Sequence, residues 1–424
     1  MSTRPGATDG AARPRPVRAG HGPAGRPGAA RQHSLRHHNL GLVLRHVLDA
    51  PVPVSRADVA AATGLTRATV SALVDRLLAA RMLAELEPVT PQRAGRPAVP
   101  LAAARGTVAA VGMELNVDYL GVRAVDLGGR VMVERVERGD FRGSEPGPAL
   151  DRLGALAGAV LAELSADGVR LVGTALALPG LVDSVTGPLR LAPNLGWRDV
   201  DVVGLLSKHP VLAGLPPRLA NEANLAALAE ARALRDGPHS FVYVSGEVGV
   251  GGAIVLDGEL FAGSHGWSGE IGHVVLGGLD EEAGGGTLET FAGQDAILTR
   301  AGLPLSTTPA ALVARAHAGD AAATEALARA GRALGLVLAG VVNVVDVETV
   351  VLGGIYADLA DVLRPHVLDQ LRRRVISAPW SSVDVVVAAA GSYPALTGAA
   401  LSVLGPVVTD PAEWLGEDAA TLVD

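Results

Sequence analysis

Hydrophobic residues recur with the period of an amphipathic helix from Leu35 onward, whereas the chain before that point has no such period. Residues 1–33 consist largely of Pro, Gly, Ala and Arg, and such a segment cannot bury enough apolar surface to offset the entropy of ordering. We therefore predict a disordered tail over residues 1–33. The apolar face of the following helix is predicted to contain Leu40, Val43, Leu44, Val47 and Leu48.

Two short helical segments joined by a glycine come next. Ser55 is in position to cap the first of them, which is predicted to end at Gly64, and Thr66 is in position to cap the second. The buried face of the second helix is predicted at Val70, Leu73, Val74 and Leu77. This arrangement is typical of a helix-turn-helix. The apolar strand, basic loop and return strand that follow predict a β-hairpin wing.

The start of the second helix is where DNA contacts are expected, because the N-terminal turns of such a helix enter the major groove. Arg67 is the side chain expected to reach a base edge or a phosphate. The loop Arg-Ala-Gly-Arg-Pro resembles minor-groove inserts, in which Arg reads a narrow, electronegative groove. The predicted DNA-binding residues are Ser55, Thr66, Arg67, Thr69, Ser71, Arg76, Arg93 and Arg96.

Beyond Arg105 the pattern changes to strands that alternate with helices. TVAAVGMEL and YLGVRAVDLGGRVMVERVE predict an antiparallel hairpin or meander, and SFVYVSGEVGVGGAIVLDGEL predicts two further strands around a glycine loop. Strand–helix segments follow each of them. We predict an α/β domain of two related lobes that face a cleft.

The charge distribution supports a division between a DNA-binding front end and a different body. The net charge is −8, but residues 1–105 contain 15 Arg and six acidic residues, so that segment carries +9 and the remainder −17. A basic module on an acidic body is typical of a nucleic-acid-binding domain joined to another domain. Six of those arginines precede Gln32, so the tail accounts for part of the excess.

Composition also limits cofactors and location. The chain has no cysteine, which excludes disulfides and thiolate metal sites. No apolar run of about 18 residues is free of Gly or polar interruption, and the N-terminus lacks the order of a signal peptide. We expect a cytoplasmic protein without a membrane span.

Seven segments occur in the order found in the ROK family, whose name joins repressors, open reading frames and sugar kinases. They are LPGLVDSVTG, APNLGWRD, NEANLAALAE, GVGGAIVLDGEL, GSHGWSGEIGHVVL, LETFAG and VVLGGI. From about Leu35 to Leu404 the chain resembles this family, including the winged helix of its regulators. The resemblance implies an α/β fold with an N-terminal winged helix-turn-helix (residues 34–103), a two-lobed actin-like domain of the sugar kinase/Hsp70 type (104–405) and a C-terminal tail (406–424).

The resemblance also implies a sugar pocket in the cleft. Its implied residues are Asn194, Asn221, Glu222, Glu270, His273 and Glu289. Convergent carboxylate, amide and imidazole groups suit a polyol, because each can pair a hydroxyl. The alternatives are that Glu270 and Glu289 are ordinary surface acids and that His273 has a structural role.

The segments that hold phosphate and catalyse transfer in kinases of this family are altered here. The kinase sequence Gly-Gly-Thr-Lys is replaced by Asn116-Val117-Asp118-Tyr119, whose β-carbons obstruct close backbone approach. Asp118 adds negative charge where a phosphate would lie, and so does Glu247, which stands at a position where the kinases usually have Thr. Like charges 4 Å apart repel by roughly 4 kcal/mol at an effective dielectric of about 20. Glu222 replaces the Asp that acts as general base in the kinases. We predict no phosphate cradle and no catalytic residue.

The family's zinc knuckle is missing as well. Relatives follow the Gly-His pair with three cysteines, whereas His273 is followed by VVLGGLDEEAGGGTLE, with Thr287 at the last Cys position. We predict no metal and no other cofactor.

The main hypothesis is a sugar-responsive transcriptional regulator, a repressor of genes for carbohydrate uptake or catabolism, without kinase activity. Its expected partners are operator DNA, a sugar or sugar-derivative effector and further copies of itself in a homodimer or tetramer. One alternative is an active sugar kinase with a DNA-binding appendage. Another is a regulator whose pocket is vestigial and whose input is a protein partner.

Overall fold

The computed structural model describes the backbone of residues 27–87, 99–183, 187–277 and 286–415, with side chains from Ser34 onward. Within these ranges the chain forms a small helical domain with a β-hairpin, followed by two α/β lobes.

The N-terminal domain is a winged helix. Its helices are α1 (Pro27–Asp49), α2 (Arg56–Thr63) and α3 (Arg67–Ala79). Its strands are β1 (Val54–Ser55), β2 (Leu83–Glu85) and β3 (Pro100–Ala103), which pair antiparallel in the order β1-β3-β2. The predicted helix-turn-helix and the two strands of the wing are confirmed. The loop between those strands, with Arg93 and Arg96, lies outside the described residues.

Local capping sets the ends of these helices, as predicted. Ser55 and Asp58 cap α2 reciprocally, since the Asp58 amide donates to Ser55 Oγ at 3.3 Å and the Ser55 amide donates to the Asp58 carboxylate at 2.9 Å. Gly64 ends α2 with a φ of 71°, a conformation that other residues rarely adopt. Thr66 caps α3 by accepting from the Thr69 amide at 3.2 Å.

The start of α1 differs from the sequence-based prediction. The helix begins at Pro27, so residues 27–33 of the predicted disordered tail are helical. The physical reason is that proline favours the first helical position, and the following Ala and Arg residues have high helix propensity. A helix that packs its later turns in a core can therefore extend backwards through such residues.

The first lobe is built on a five-stranded sheet. Its strands are β4 (Val108–Leu115), β5 (Tyr119–Asp126), β6 (Val131–Arg138), β7 (Arg170–Leu178) and β11 (Arg218–Asn221). A second sheet at its edge contains β8 (Leu181–Val182), β9 (Leu189–Ala192) and β10 (Trp197–Val200). The helices of this lobe are α4 (Pro146–Ala166), α5 (Val202–Leu206), α6 (Pro210–Gly214) and α7 (Glu222–Ala233).

The second lobe has a sheet of the same size. Its strands are β12 (Phe241–Gly246), β13 (Val250–Leu256), β14 (Glu259–Leu260), β17 (Thr349–Gly354) and β18 (Asp384–Val387). A short ladder pairs β15 (Val275–Leu276) with β16 (Gly286–Thr287). The helices are α8 (Glu289–Ala292), α9 (Gln294–Arg300), α10 (Pro309–His317), α11 (Ala321–Val345), α12 (Ile355–Asp358) and α13 (Ala360–Arg374), and after β18 the chain returns to the first lobe as α14 (Pro394–Thr409).

The two main sheets share one topology, which confirms the prediction of two related lobes. In the order β11-β7-β4-β5-β6, the strands β4, β5 and β6 form an antiparallel meander and the other two run parallel to β4. The order β18-β17-β12-β13-β14 repeats this arrangement in the second lobe. A duplicated sheet of this kind places the ends of corresponding strands on either side of a cleft.

Helix α14 follows the last strand of the second lobe and contacts both the first lobe and the winged helix. It packs on β4 and α7, and a Cβ added at Gly398 would lie only 1.7 Å from the carbonyl oxygen of Leu225. A Cβ at Gly41 of α1 would lie 2.2 Å from the carbonyl oxygen of Thr409. One apolar cluster consequently includes residues of the winged helix, of α7 and α14, and of both sheets.

The sequence-based boundary between residues 405 and 406 falls inside α14. The helix continues through Pro406 to Thr409, and the next turn, Pro411–Trp414, packs against α1. Arg170 donates to the Trp414 carbonyl at 2.8 Å. Residues 406–415 therefore belong to the folded body, because they cover the junction between the winged helix and the first lobe.

Among the described helices, α11 has the length and mean hydropathy of a membrane-spanning helix. However, 56% of its most apolar 18-residue window is buried inside the second lobe. Its apolar face packs against α13 and the helices α8 to α10, as in the core of a globular domain.

Candidate functional site

The cleft between the lobes brings together all six residues that the resemblance implied for a sugar pocket. The space within it, together with open solvent at its mouth, is about 650 Å³. The first lobe contributes the β4–β5 turn and the start of α7, and the second contributes the β12–β13 turn, the segment around Ile271 and the start of α8. The predicted residues that line it are Asn194, Asn221, Glu222, Glu270, His273 and Glu289.

Asn221 has a structural task in addition to its place in the cleft. Its Oδ1 accepts from the amides of Ala223 and Asn224, at 2.8 and 3.2 Å, and thereby caps α7. Its Nδ2 donates to the carbonyl of Gly180 at 3.0 Å. Because an amide has two N–H groups, one remains for a ligand. Asn221 thus fixes where Glu222, the first residue of α7, enters the cleft.

The second lobe supplies two further carboxyl groups. Glu289 accepts from the amide of Val250 at 3.2 Å, and a Cβ at Gly249 would lie 2.4 Å from a carboxylate oxygen of Glu289. Gly249 is therefore needed so that Glu289 can reach the cleft. Burial raises the pKa of Glu270, and the nearby His273 acts in the opposite direction by lowering it. His273 itself is exposed at the rim of the cleft.

The altered β4–β5 turn has no free amide at its first two positions. The Asn116 amide donates to the Tyr119 carbonyl at 3.0 Å, and the Val117 amide donates to Asn116 Oδ1 at 2.6 Å. The side chains of Val117 and Tyr119 are buried. A phosphate cradle depends on backbone N–H groups that point at the ligand, and these two are already paired.

The structure corrects the interpretation of Asp118. Its carboxylate does not point into the cleft as expected but is exposed and pairs with Arg138 at 2.9 Å. Arg138 also lies over the rings of Tyr119 and Tyr393, at 5.8 and 6.0 Å. A charged side chain at a turn reaches water when an Arg on the next strand offers a partner there.

Three glutamates instead surround one amide at the bottom of the altered turn. Asn116 Nδ2 lies 2.8 Å from Glu247 Oε2, 3.2 Å from Glu114 Oε1 and 3.5 Å from Glu222 Oε2. Burial raises the pKa of Glu114 to about 7 and that of Glu247 to about 8. Burial and the neighbouring carboxyl groups raise the pKa of Glu222 well above its ordinary value. We call Glu114, Glu222 and Glu247 the carboxyl cluster.

Glu114 was not among the residues expected from the sequence. It is only 2% exposed and lies one residue before the end of β4, whose other residues are all buried and apolar or Gly. The available signal was a charged residue inside the apolar strand VAAVGMEL. Buried carboxyl groups are rare without a purpose.

Gly353 and Gly354 form a tight turn between β17 and α12. Gly354 starts α12 with φ 54° and ψ −140°, and a Cβ there would lie 2.4 Å from the Gly246 carbonyl oxygen. A Cβ at Gly353 would lie 2.2 Å from the hydroxyl oxygen of Tyr243. Packing alone thus accounts for both glycines.

The second candidate site is the exposed start of α3. Arg67 is exposed there, and Thr69 and Ser71 are partly exposed. The hydroxyls of Thr66 and Thr69 lie 2.9 Å apart, so these two side chains are held together at the first turn. These four polar side chains lie at the N-cap and in the first turns of α3, and the N-terminal part of the second helix is what helix-turn-helix domains place in the major groove.

Two predicted DNA-binding residues are placed differently. Ser55 belongs to the start of α2, and its hydroxyl donates to the Asp58 carboxylate at 2.7 Å as part of a cap. Arg76 lies in the last turn of α3, away from the helix start that holds Arg67, and its Nε is buried without a hydrogen-bond partner. Their sequence positions matched the motif, but capping and packing decide where the side chains point.

A winged helix attached to a two-lobed cleft with duplicated sheets defines a class of protein, a DNA-binding domain joined to a sugar-kinase-type, actin-like domain. The ROK family profile matches residues 151–405, and the chain belongs to the ROK family.

Relatives within the family share this organisation. The chain is 25% identical to a xylose repressor from Caldicellulosiruptor bescii, over 89% of this chain and 98% of the relative. The crystal structure of a ROK family transcriptional regulator, a homolog of the Escherichia coli Mlc protein, superposes with a TM-score of 0.71 at 26% identity, covering 89% of this chain and 97% of that one. The ROK hexokinase from Thermus thermophilus superposes with a TM-score of 0.57 at 28% identity, covering 70% of this chain and 99% of the hexokinase. The chain thus has the length and domain organisation of the family's transcriptional repressors.

Proposed function

We propose that this protein is a sugar-responsive transcriptional repressor of carbohydrate genes that works in the cytoplasm as a homodimer or tetramer. It binds operator DNA through α3 and the wing, and it binds a sugar or sugar derivative in the cleft without phosphorylating it. The similarity to repressors over nearly the whole chain supports this function. The observation that carries the proposal is the course of α7.

Helix α7 connects the cleft directly to the winged helix. Its first residues, Asn221 and Glu222, line the cleft, and Arg232 in its last turn donates to Asp49 at 2.7 Å and to the Leu48 carbonyl at 3.3 Å. Asp49 is the last residue of α1. Twelve helical residues span about 18 Å. A ligand that shifts the start of α7 must therefore also move its contact with α1.

This contact supplies the two-state element that allostery requires. Sugar that favours a different position of α7 changes how the winged helices of an oligomer are aimed, and thus their match to two half-sites. The hydrogen bond to the Leu48 carbonyl and the ion pair with Asp49 fix the end of α1, and the apolar cluster packs against the rest of that helix. Coupling then requires only a shift of packed helices rather than unfolding.

The cleft also favours binding over phosphoryl transfer. Glu222 stands where the kinases have their general base, and burial together with the neighbouring carboxyl groups raises its pKa well above its ordinary value, which favours the protonated form that cannot accept a proton from a hydroxyl. The paired amides of Asn116 and Val117 are not available to a phosphate. Sugar hydroxyls, by contrast, can pair with Glu270, Glu289 and Asn194.

The decisive experiment is isothermal titration with ATP–magnesium and then with a panel of monosaccharides, disaccharides and sugar phosphates. Operator DNA binding is measured in parallel by fluorescence anisotropy. We expect a sugar ligand that changes operator affinity and no ATP binding. ATP binding followed by sugar phosphorylation would instead establish the kinase alternative, and no response to any sugar would favour a protein input.

A variant pair ties the response to the cleft. Glu270→Gln should weaken sugar binding and the sugar response while operator affinity without sugar stays the same. Glu163→Gln, on the outer surface of α4, is the matched control and should leave both unchanged. Normal induction in Glu270→Gln would place the sugar elsewhere.

A further inference from the structure

When Glu222 and Glu247 ionise, the carboxyl cluster has more acceptors than the protein has donors to pair them. The donors beside it are the two N–H groups of Asn116 and the hydroxyl of Tyr119, which bonds to Glu114, and Asn116 cannot donate to Glu114, Glu222 and Glu247 at the same time. Unpaired buried acceptors are costly, so a ligand that brings donors would stabilise this region of the cleft.

The cleft walls do not supply a compensating cation. Four described residues that line it are glutamates, and none of the described lining residues is Arg or Lys. Arg123 lies near Glu114, but its guanidinium is committed to Glu134, to Thr397 and to the carbonyls of Ser392 and Tyr393. A positive charge at the centre of the cluster therefore has to come from the ligand.

We propose that the effector is an amino sugar whose protonated amine lies between Glu222 and Glu247. This rests on the proposed function and specifies the class of ligand for the same cleft. An ammonium group brings three donors and a positive charge, whereas a hydroxyl brings one donor and no charge. Sugar phosphates and uronic acids bring negative charge and are disfavoured by the same carboxylates.

The positions of the oxygens fit such a group. One nitrogen, Asn116 Nδ2, already lies within 3.5 Å of Oε2 atoms from both Glu222 and Glu247. A ligand nitrogen can therefore bridge the same two residues from the open side of the cleft, which both of them line. The ring hydroxyls of the ligand then form hydrogen bonds with Glu270, Glu289 and Asn194.

Amine binding should be accompanied by proton release. In the empty cleft, burial keeps the pKa of Glu247 at about 8, so this carboxyl is largely protonated at pH 7. The other charged groups that act on the cluster are Glu270, Arg123 and the exposed Asp118 beside the turn. An ammonium group beside Glu247 favours the carboxylate, and the carboxyl proton passes to the buffer. A neutral sugar has no such effect.

The test is isothermal titration at pH 7 with matched neutral and amino sugars. The panel contains glucose, galactose and mannose, their 2-amino derivatives, 3-amino- and 6-amino-deoxyglucose, N-acetylglucosamine and glucose 6-phosphate. We expect at least one amino sugar to bind about tenfold or more tightly than its neutral parent. Its binding enthalpy should differ between phosphate and Tris buffers by an amount that reports proton release.

Glu247→Gln separates the role of charge from that of shape. Because the substitution is isosteric and removes only the ionisable group, the preference for the amine over its neutral parent and the proton release should both disappear. Glu259→Gln removes an exposed carboxyl outside the cleft and serves as control, with both properties retained. Circular dichroism verifies that each variant is folded.

The outcomes distinguish this inference from the function on which it rests. If neutral sugars bind and change operator affinity but amino sugars bind no more tightly, the proposed amino-sugar effector is refuted and the proposed repressor function is retained. An amine preference that persists in Glu247→Gln also refutes the proposed position. If no sugar of the panel binds, both the ligand class and the sugar response are overturned.

Discussion

Removing the Arg232 side chain tests whether α7 transmits the signal from the cleft to the DNA-binding domain. Arg232 pairs with Asp49 at 2.7 Å and donates to the Leu48 carbonyl at 3.3 Å. The side chains of Arg232 and Asp49 are 32% and 51% exposed, so solvent screening reduces the value of the ion pair. We assign about 1 kcal/mol to the whole contact, which corresponds to roughly a fivefold change in an equilibrium.

The assay compares operator affinity with and without saturating sugar in wild type and Arg232→Ala. The ratio of the two dissociation constants should fall by up to about fivefold in the variant. Asp49→Ala should have a slightly smaller effect, because Arg232 retains its bond to the Leu48 carbonyl, and the double variant should resemble Arg232→Ala.

Arg235→Ala is the matched control. Arg235 lies three residues beyond Arg232 and pairs only weakly with its neighbour Asp236, at 3.8 Å. It should leave the coupling ratio unchanged. A ratio that is the same in Arg232→Ala as in wild type, or effects of Arg232→Ala and Asp49→Ala that add fully, would refute the role of this contact.

Three further predictions follow from other parts of the structure. Arg67→Ala should weaken operator binding about 5- to 150-fold, measured by anisotropy, and leave sugar affinity intact; unchanged operator affinity would remove Arg67 from the interface. Gly398→Ala should lower the free energy of unfolding in urea by about 3 kcal/mol or more, because the new Cβ collides with backbone, whereas Gly405→Ala on the same helix meets nothing within 4 Å and should be neutral or stabilising. The unfolding free energy of the ligand-free protein should decrease as pH rises from about 5 to about 8, since Glu247 holds its proton to a pKa of about 8 when folded and ionises near its ordinary 4.5 when unfolded; Glu247→Gln should flatten this decrease, and an equally steep profile would contradict the buried, protonated state.

Local features of the sequence were sufficient to predict the winged helix. The caps at Ser55 and Thr66, the left-handed Gly64 and the apolar faces of α1 and α3 depend on neighbours within a few residues, so pattern and propensity predict them correctly. The repeated meander was also readable, because alternating apolar segments and turn glycines are local signals. The six cleft residues could be placed together only through the family resemblance, since they come from distant segments.

Where side chains point was decided by tertiary contacts. Asp118 was expected to face the cleft, but Arg138 on the next strand draws it to the surface. Residues 406–415 appeared as an acidic tail, yet they cover the junction between α1 and the first lobe.

The sequence by itself determined the class of protein, because its helix caps, strand patterns and ordered motifs each act over short stretches of chain. Only the tertiary structure brought Asn116 to Glu222 and Glu247, 106 and 131 positions away, and so created the carboxyl cluster. It also placed Arg232 against Asp49, 183 residues earlier. Contacts at such separations leave no periodic trace in the chain, since they depend on how complete elements pack rather than on what any one element prefers.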